Sequence, residues 1–211
     1  MDEWATGLVL RTYPLTESSL IVHWLTREQG RIATVAKGAR RARSTFRGKV
    51  DLFFSAEFLF VRSRRSELHT LKELRVIDTH PRLRQDLSWL RRAAYGAALI
   101  EQATEADSPL PEVFELFSDF LDAIPAASSL VPVLTFEVKL LDLLGLAPDV
   151  KAEELSAGAR RVIGEFKQAN WEKLARLRLS DAQRRELSRF LGKFMTWHLG
   201  KIPRGRGDAL E

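Results

Sequence analysis

A dense run of cationic side chains is the feature of this sequence with the clearest chemistry. The segment from residue 31 to residue 49 reads RIATVAKGARRARSTFRGK, and no acidic residue interrupts it. Such a segment repels itself unless an anion lies against it, so a polyanion is the expected partner. The alternative is a solvated loop without a ligand, because charged runs are commonly hydrated surface. The cations of its second half are Lys37, Arg40, Arg41, Arg43, Arg47 and Lys49.

Two more residues extend this candidate site. Arg31 lies at the start of the segment, and Phe46 stands among the cations, where an aromatic ring could stack on a base. Trp24 and Phe53 are near in sequence, but their positions in apolar strands favour a place in the core. The predicted nucleic-acid site therefore consists of Arg31, Lys37, Arg40, Arg41, Arg43, Phe46, Arg47 and Lys49.

Charge is distributed unevenly along the chain. The net charge of +5 combines +5 in residues 1–80, −6 in residues 81–150 and +6 in residues 151–211. Two basic ends around an acidic middle indicate that different surfaces meet different partners. Whether the basic C-terminal helix is a second DNA site stays open. The remaining cationic clusters are Arg62/Arg64/Arg65, Arg160/Arg161, Arg184/Arg185/Arg189 and Lys201/Arg204/Arg206.

The sequence offers little for catalysis. Its four histidines, at positions 23, 69, 80 and 198, are scattered without metal-ligand spacing, and there is no nucleophile elbow or phosphate-binding glycine loop. Without cysteine, neither a disulfide nor a thiolate metal site can form. We therefore expect no enzyme, cofactor or small-molecule substrate. No apolar run is long enough to span a membrane, and a cytoplasmic location is expected.

Hydrophobic periodicity divides the chain in two. Five predicted strands precede residue 80, and the hairpin-linked second and third suit a small OB-type barrel, although an SH3-like barrel or an open meander would give a similar pattern. After His80-Pro81 the period becomes helical. The predicted domains are thus 1–80, an OB fold, and 81–211, all α-helical. The strands are predicted at residues 7–13, 20–25, 32–37, 50–62 and 68–77.

The helical half carries several specific signals. Residues 130–144 are apolar nearly all round and predict a central buried helix. A further helix is expected at about residues 152–167, and Ser180 with Gln183 predicts a capping box at the start of the last helix. The predicted buried face of the first helical segment is Leu83, Leu87, Leu90, Ala94 and Ala97.

The order of these motifs resembles the bacterial recombination mediator RecO family over nearly the whole chain. The N-terminal half carries GLVLRTYPLTESSLIVHWLT, AKGARRARSTFRGKVDLF and LKELRVIDTHPRLRQDL. The helical half carries YGAALIEQ, FEVKLLDLLGLAP and FMTWHLGK. Each motif is weak alone, and AKGARR with its following loop is the most specific.

The resemblance implies an OB fold followed by a helical domain and a non-catalytic role in DNA repair and recombination. Members bind single- and double-stranded DNA, anneal complementary strands and act with RecR to load RecA onto strands coated by single-strand-binding protein. Such a protein would be cytoplasmic and associated with the nucleoid. The family's basic loop maps onto Lys37, Arg40, Arg41 and Arg43. The acidic tail of single-strand-binding protein would bind the helical half, at residues that no motif here identifies.

One departure from the family concerns zinc. Many members carry a four-cysteine zinc module after the segment equivalent to GLAP, where this chain reads DVKAEELSAGARRVIGEF without cysteine. We therefore expect the module to be absent and its place to be stabilised by packing, with Phe166 and Trp171 as candidates. Two rival functions remain: a generic single-stranded DNA- or RNA-binding OB protein, and a protein-interaction scaffold with a basic docking loop.

Overall fold

The N-terminal strands form because apolar side chains recur at every second residue and share one face. The computed structural model describes residues 2–127, 129–148 and 155–211. Its strands are β1, Asp2–Pro14; β2, Leu20–Thr26; β3, Gly30–Ala36; β4, Ser55–Val61; and β5, Leu68–Asp78.

These strands close into a barrel in the order β1-β2-β3-β5-β4, with β4 pairing back to β1. All neighbouring pairs are antiparallel except β3 and β5, which are parallel. The predicted α+β class with an OB-like five-stranded barrel is confirmed. The open meander is excluded, because closure leaves none of the five strands with a free edge.

Large aromatic side chains fill the barrel. Trp24 stacks on Phe58 with ring centroids 4.2 Å apart, and its Nε1 donates a 2.9 Å hydrogen bond to Oγ1 of Thr34. This bond satisfies the only polar atom of the indole inside an apolar core. The predicted core positions of Trp24 and Phe53 are confirmed, since both are buried.

Two strand boundaries differ from the prediction. β1 starts at Asp2 rather than residue 7, because its first residues pair with β4, as in Trp4 with Leu59. β4 starts at Ser55 rather than residue 50. Phe53 interrupts the strand with a φ of 65°, and its N–H donates to the carbonyl of Val9 at 2.8 Å. At the starts of β1 and β4, tertiary pairing thus sets the strand boundary instead of the local alternation of apolar residues.

The second half is helical. Phe166 is fully buried, and the ring of Trp171 lies 6.2 Å from that of Phe120, so both pack as expected. The first residues of the cysteine-free segment, 149–154, lie outside the described residues. The helices are α1, Leu87–Ala103; α2, Pro111–Ala123; α3, Val131–Leu143; α4, Ala157–Gln168; α5, Trp171–Ala175; α6, Asp181–Leu199; and α7, Arg206–Ala209.

Two helical predictions are confirmed and one is wrong. Helix α3 is buried along most of its length, and Ser180 and Gln183 form a reciprocal capping box. The predicted buried face of the first helical segment is wrong at two positions, because Leu87 is 62% exposed and Ala94 is also exposed, whereas Leu83 and Ala97 are buried as predicted. The helix instead buries the face that includes Gly96, where a Cβ atom would lie 2.5 Å from Phe120.

The chain divides into two compact units that differ in one respect from the predicted domains. Thr104–Glu115 groups with the strands up to Pro81, whereas Arg82–Ala103 groups with Leu116–Glu211. Helix α2 therefore contributes its first turn to the first unit and the rest to the second. Among the described residues, no helix has both the length and the apolar character needed to cross a membrane.

Candidate nucleic-acid interface

The basic loop, residues 37–49, follows β3 and is built from successive tight turns. Backbone N–H groups donate three residues back along the chain, from Arg41 to Gly38, Ser44 to Arg41 and Arg47 to Ser44, at 3.0–3.2 Å. Gly38 has a φ of 68°, which glycine adopts without strain. The loop is therefore a defined coil, because its backbone polar groups are largely satisfied internally.

Phe46 fastens this coil to the barrel. Its side chain is only 7% exposed and belongs to the barrel core together with Ala39 from the same loop. The proposed stacking of Phe46 on a base does not fit this position, because a ring packed among core side chains has no free face. Phe46 is a positioning residue that holds the cations beside the barrel.

All six cations of the basic loop are exposed. Arg40 donates from Nη1 to the carbonyl of Thr16 at 3.4 Å, and Arg47 donates from Nη1 to the carbonyl of Ala42 at 3.0 Å. Within the described residues, none of the six forms an ion pair with a carboxylate. Their charge is thus available to an external anion, in the way that a phosphate backbone requires.

Arg31, in contrast, is engaged within its own unit. Its Nε donates to Oγ1 of Thr104 at 2.9 Å, and its carbonyl accepts from the backbone N–H of Asp107 at 2.9 Å. These contacts fasten the segment after α1 to β3. Arg31 therefore differs from the six exposed loop cations in being half-buried and hydrogen-bonded to Thr104.

An exposed ring lies beside the loop on the outer face of β1 and β2. Tyr13 is 41% exposed and packs edge-on against His23, with ring centroids 5.3 Å apart, while Nη1 of Arg11 donates to its hydroxyl at 3.3 Å. Tyr13 of β1 pairs with Ile21 of β2. The neighbouring Leu20 pairs with Ala36, the last residue of β3 before the loop.

Tyr13 is a candidate that sequence reasoning missed. The sequence signal for it was the alternation of core-facing and outward-facing side chains along β2, in which Val22 and Trp24 face the core. Ile21 and His23 must therefore face outward, together with the β1 residues that pair with them. Tyr13 is exposed whereas Phe46 is buried, so a base could reach the ring of Tyr13.

In the cluster Arg62/Arg64/Arg65, Arg62 is engaged by internal contacts, whereas Arg64 and Arg65 are exposed. Arg62 donates to Glu3 and Asp107 at 2.9 Å and to Oε1 of Gln29 at 2.8 Å. The hydrogen bond with Glu3, opposed by burial, raises the pKa of Arg62. Nearby His69 is buried, and burial, followed by the charge of Arg62, lowers its pKa, so it stays neutral near pH 7.

The C-terminal cluster loses Arg206 in the same way. Its Nε and Nη2 donate to the two carboxylate oxygens of Glu137 at 2.7 and 2.9 Å, and Glu137 also accepts from the hydroxyl of Tyr95 at 2.6 Å. Glu137 is fully buried in α3. Burial is the largest single influence on Arg206 and works against its charge, but the hydrogen bond with Glu137, the charge of Glu137 and the contact with Tyr95 together raise its pKa.

Comparison with known proteins agrees with the sequence resemblance along both units. The family model described as recombination protein O N terminal matches residues 1–80, and the model described as recombination protein O C terminal matches residues 84–153 and 149–207.

Several curated proteins named DNA repair protein RecO are similar to this chain. The one from Exiguobacterium sibiricum is 38% identical over 151 residues, which are 70% of this chain and 59% of that protein. The one from Syntrophus aciditrophicus is 34% identical over 67% of this chain and 55% of that protein. The one from a Cyanothece species is 31% identical over 79% and 57%. The matched region spans somewhat more than half the length of these relatives.

Proposed function

Because the chain belongs to the recombination protein O family, we propose that it is a non-catalytic DNA-binding mediator of recombination and DNA repair. The observation that carries this proposal is the basic loop, whose six cations are exposed and form no ion pair with any carboxylate that the structure describes, while Phe46 packs the loop against the barrel. An exposed cationic surface attracts a phosphate backbone without regard to base sequence.

The roles of the loop residues follow from this geometry. Arg40, Arg41 and Arg43 neutralise successive phosphates, and Lys37, Arg47 and Lys49 extend the track. A single strand can also stack a base on Tyr13, since every base has a face that an aromatic ring accepts. Duplex DNA meets the same cations through its phosphates alone, so both forms bind and the single strand binds with the additional stacking.

Strand annealing follows from charge neutralisation. Two complementary strands repel each other through their phosphates, and bound cations lower this repulsion so that bases can meet. We further propose, on the family resemblance, that the protein acts with RecR, binds the acidic tail of single-strand-binding protein on its helical half and helps load RecA onto coated strands. Its work on chromosomal DNA would place it in the cytoplasm at the nucleoid.

The test is the rate at which the full chain anneals complementary oligonucleotides. The loop variant, Arg40→Ala/Arg41→Ala/Arg43→Ala, should anneal several-fold more slowly than the unmodified chain, because it loses about three phosphate contacts.

A control variant removes the same charge elsewhere. Arg91, Arg176 and Arg178 are exposed cations outside the loop, and replacing all three with alanine should leave the annealing rate nearly unchanged. Equal rates for the loop variant and the control would contradict the assignment of the site to the loop. If neither the variants nor the unmodified chain bound oligonucleotides at low salt, the loop would be a docking surface for an acidic protein.

A further inference from the structure

A groove on the helical unit offers a surface that the proposed function does not yet use. It runs along α6, has a volume of about 1000 Å³, and all of its lining residues belong to the second unit. Its other side is formed by the C-terminal residues Ile202, Arg206 and Leu210. From the features that follow, we infer that this groove is a second binding site for a single nucleic-acid strand, an inference that rests on the proposed function for the class of ligand.

The cations of α6 form a regular row along this groove. Arg185, Arg189 and Lys193 follow one another at intervals of four residues, all three are exposed, and all three line the groove. Four residues advance a helix by about 6 Å, so the row presents a positive charge at steps similar to those between phosphates of an extended strand. Arg184 also lines the groove, where it is paired with Asp181.

The same row ends in an aromatic ring. Trp197 follows Lys193 at the same interval of four residues, lines the groove and is 85% exposed, more than any other large apolar side chain of the described residues. A tryptophan in this position contributes little to the stability of the unit, because its ring remains in water. Its planar face suits a base, and stacking on a base would remove that face from water.

Three cations followed by an exposed indole favour a single strand over other anions. A duplex offers its phosphates to the cations, but its bases are stacked on one another and leave no face for Trp197. An acidic peptide also pairs with the cations, yet its binding does not require a planar ring. The combination of evenly spaced charge and an exposed ring is the pattern by which proteins bind single strands without sequence preference.

Two strand sites on one chain have a consequence for annealing. If one strand is bound on the basic loop and another in the α6 groove, both strands are attached to the same molecule. Each strand then meets the other at a high effective concentration. The groove would thus contribute to the annealing rate even where it contributes little to the affinity for one strand.

The experiment measures binding of a labelled oligothymidylate to the full chain carrying the loop variant, so that the remaining affinity reports on the groove. A second triple substitution, Arg185→Ala/Arg189→Ala/Lys193→Ala, should make the log–log salt dependence shallower by about 2, at about 0.7 per lost contact. The charge-matched control is Arg91→Ala/Arg176→Ala/Arg178→Ala, which should leave that dependence unchanged. Thermal unfolding should be the same for both, because all six side chains are exposed.

Substitutions of Trp197 separate stacking from simple apolar contact. Trp197→Ala should weaken binding roughly tenfold, within the range for loss of one stacked base, while Trp197→Phe should retain most of the affinity. Trp197→Leu should behave like Trp197→Ala, because leucine is apolar but not planar. Retained affinity in Trp197→Leu would overturn the inference in favour of an acidic peptide site.

The remaining outcomes also decide the question. Equal salt dependence for the groove substitutions and the control would overturn the second site, as would a loop variant that binds no oligothymidylate at low salt. Failure of the proposed function looks different. In that case the loop substitutions alone leave affinity unchanged, whether or not the groove substitutions lower it.

Discussion

The basic loop and the C-terminal cluster Lys201/Arg204/Arg206 are both cationic in sequence, but Arg206 is used differently from the loop arginines. In the loop, Arg40, Arg41 and Arg43 are exposed, and none forms an ion pair with another described residue. In the C-terminal cluster, Arg206 is bound by both oxygens of the buried Glu137. A cationic cluster therefore indicates a polyanion site only where the fold brings no carboxylate to it.

The difference has an electrostatic cause. Exposed cations stay hydrated in the unbound protein, so their charge costs little free energy. Counterions released from a phosphate backbone then favour binding. A buried cation without a partner is strongly destabilising, so it persists in the core only beside an opposite charge with good geometry. Arg206 thus contributes to folding, and the loop arginines contribute to binding.

The largest expected effect comes from breaking the buried pair. Arg206→Ala should lower the free energy of unfolding by about 3–5 kcal/mol, because Glu137 is left buried and charged without its partner. Denaturant unfolding measures this loss. The neighbouring Arg204 is exposed, so Arg204→Ala should change stability by less than about 0.5 kcal/mol. Similar losses from both substitutions would remove the distinction between the two kinds of arginine.

Phe46 tests how the loop depends on the barrel. Phe46→Ala should cost about 3 kcal/mol of unfolding free energy, because it leaves a cavity in the barrel core. Phe46→Leu should cost less and preserve the affinity for single-stranded DNA, since a leucine can fill much of the space but cannot stack. A large loss of DNA affinity in Phe46→Leu, with stability retained, would return Phe46 to the stacking role.

Tyr13 tests the exposed ring beside the loop. Tyr13→Ala should weaken binding of a single strand by about 1–3 kcal/mol, the usual contribution of one stacked base, and should leave duplex binding nearly unchanged. Tyr13→Phe serves as the control that keeps the ring and removes the hydroxyl. Anisotropy titrations with both forms of DNA provide the measurement, and equal losses for the two forms would argue against stacking.

The smallest expected effect is a pH dependence of the buried network. Burial, followed by the charge of Glu137, raises the pKa of Tyr95 above its ordinary value. Above about pH 10 the unfolded chain therefore ionises this tyrosine while the folded chain keeps it protonated, so stability falls as pH rises, by up to about 1.4 kcal/mol per pH unit. Tyr95→Phe should lack this component of the pH dependence. An identical decline in both proteins would contradict the raised pKa.

Local pattern was enough to predict much of the fold. The alternation of β2 and β3, the apolar run of α3 and the Ser180–Gln183 capping box depend on neighbours within a few residues, and the structure contains all of them. The predicted start of β4 was wrong, because Phe53 lies in a turn that hydrogen-bonds to Val9.

The candidate site was less predictable because its residues acquire their roles from distant partners. Arg62 meets Glu3, which lies 59 residues away, and Arg206 meets Glu137, which lies 69 residues away. Phe46 sits in a polar sequence, and only the closed barrel supplies the apolar surface that buries it. A single sequence shows where charge is dense, and the tertiary structure decides which charges remain available.

The salt dependence of single-strand binding tests the central claim most directly. The loop variant Arg40→Ala/Arg41→Ala/Arg43→Ala should have a log–log slope shallower by about 2 than that of the unmodified chain, at about 0.7 per lost phosphate contact. Its unfolding free energy should stay within about 0.5 kcal/mol of the unmodified value, because these side chains are exposed. An unchanged slope at unchanged stability would contradict the account, since the loop arginines would then contact no phosphate.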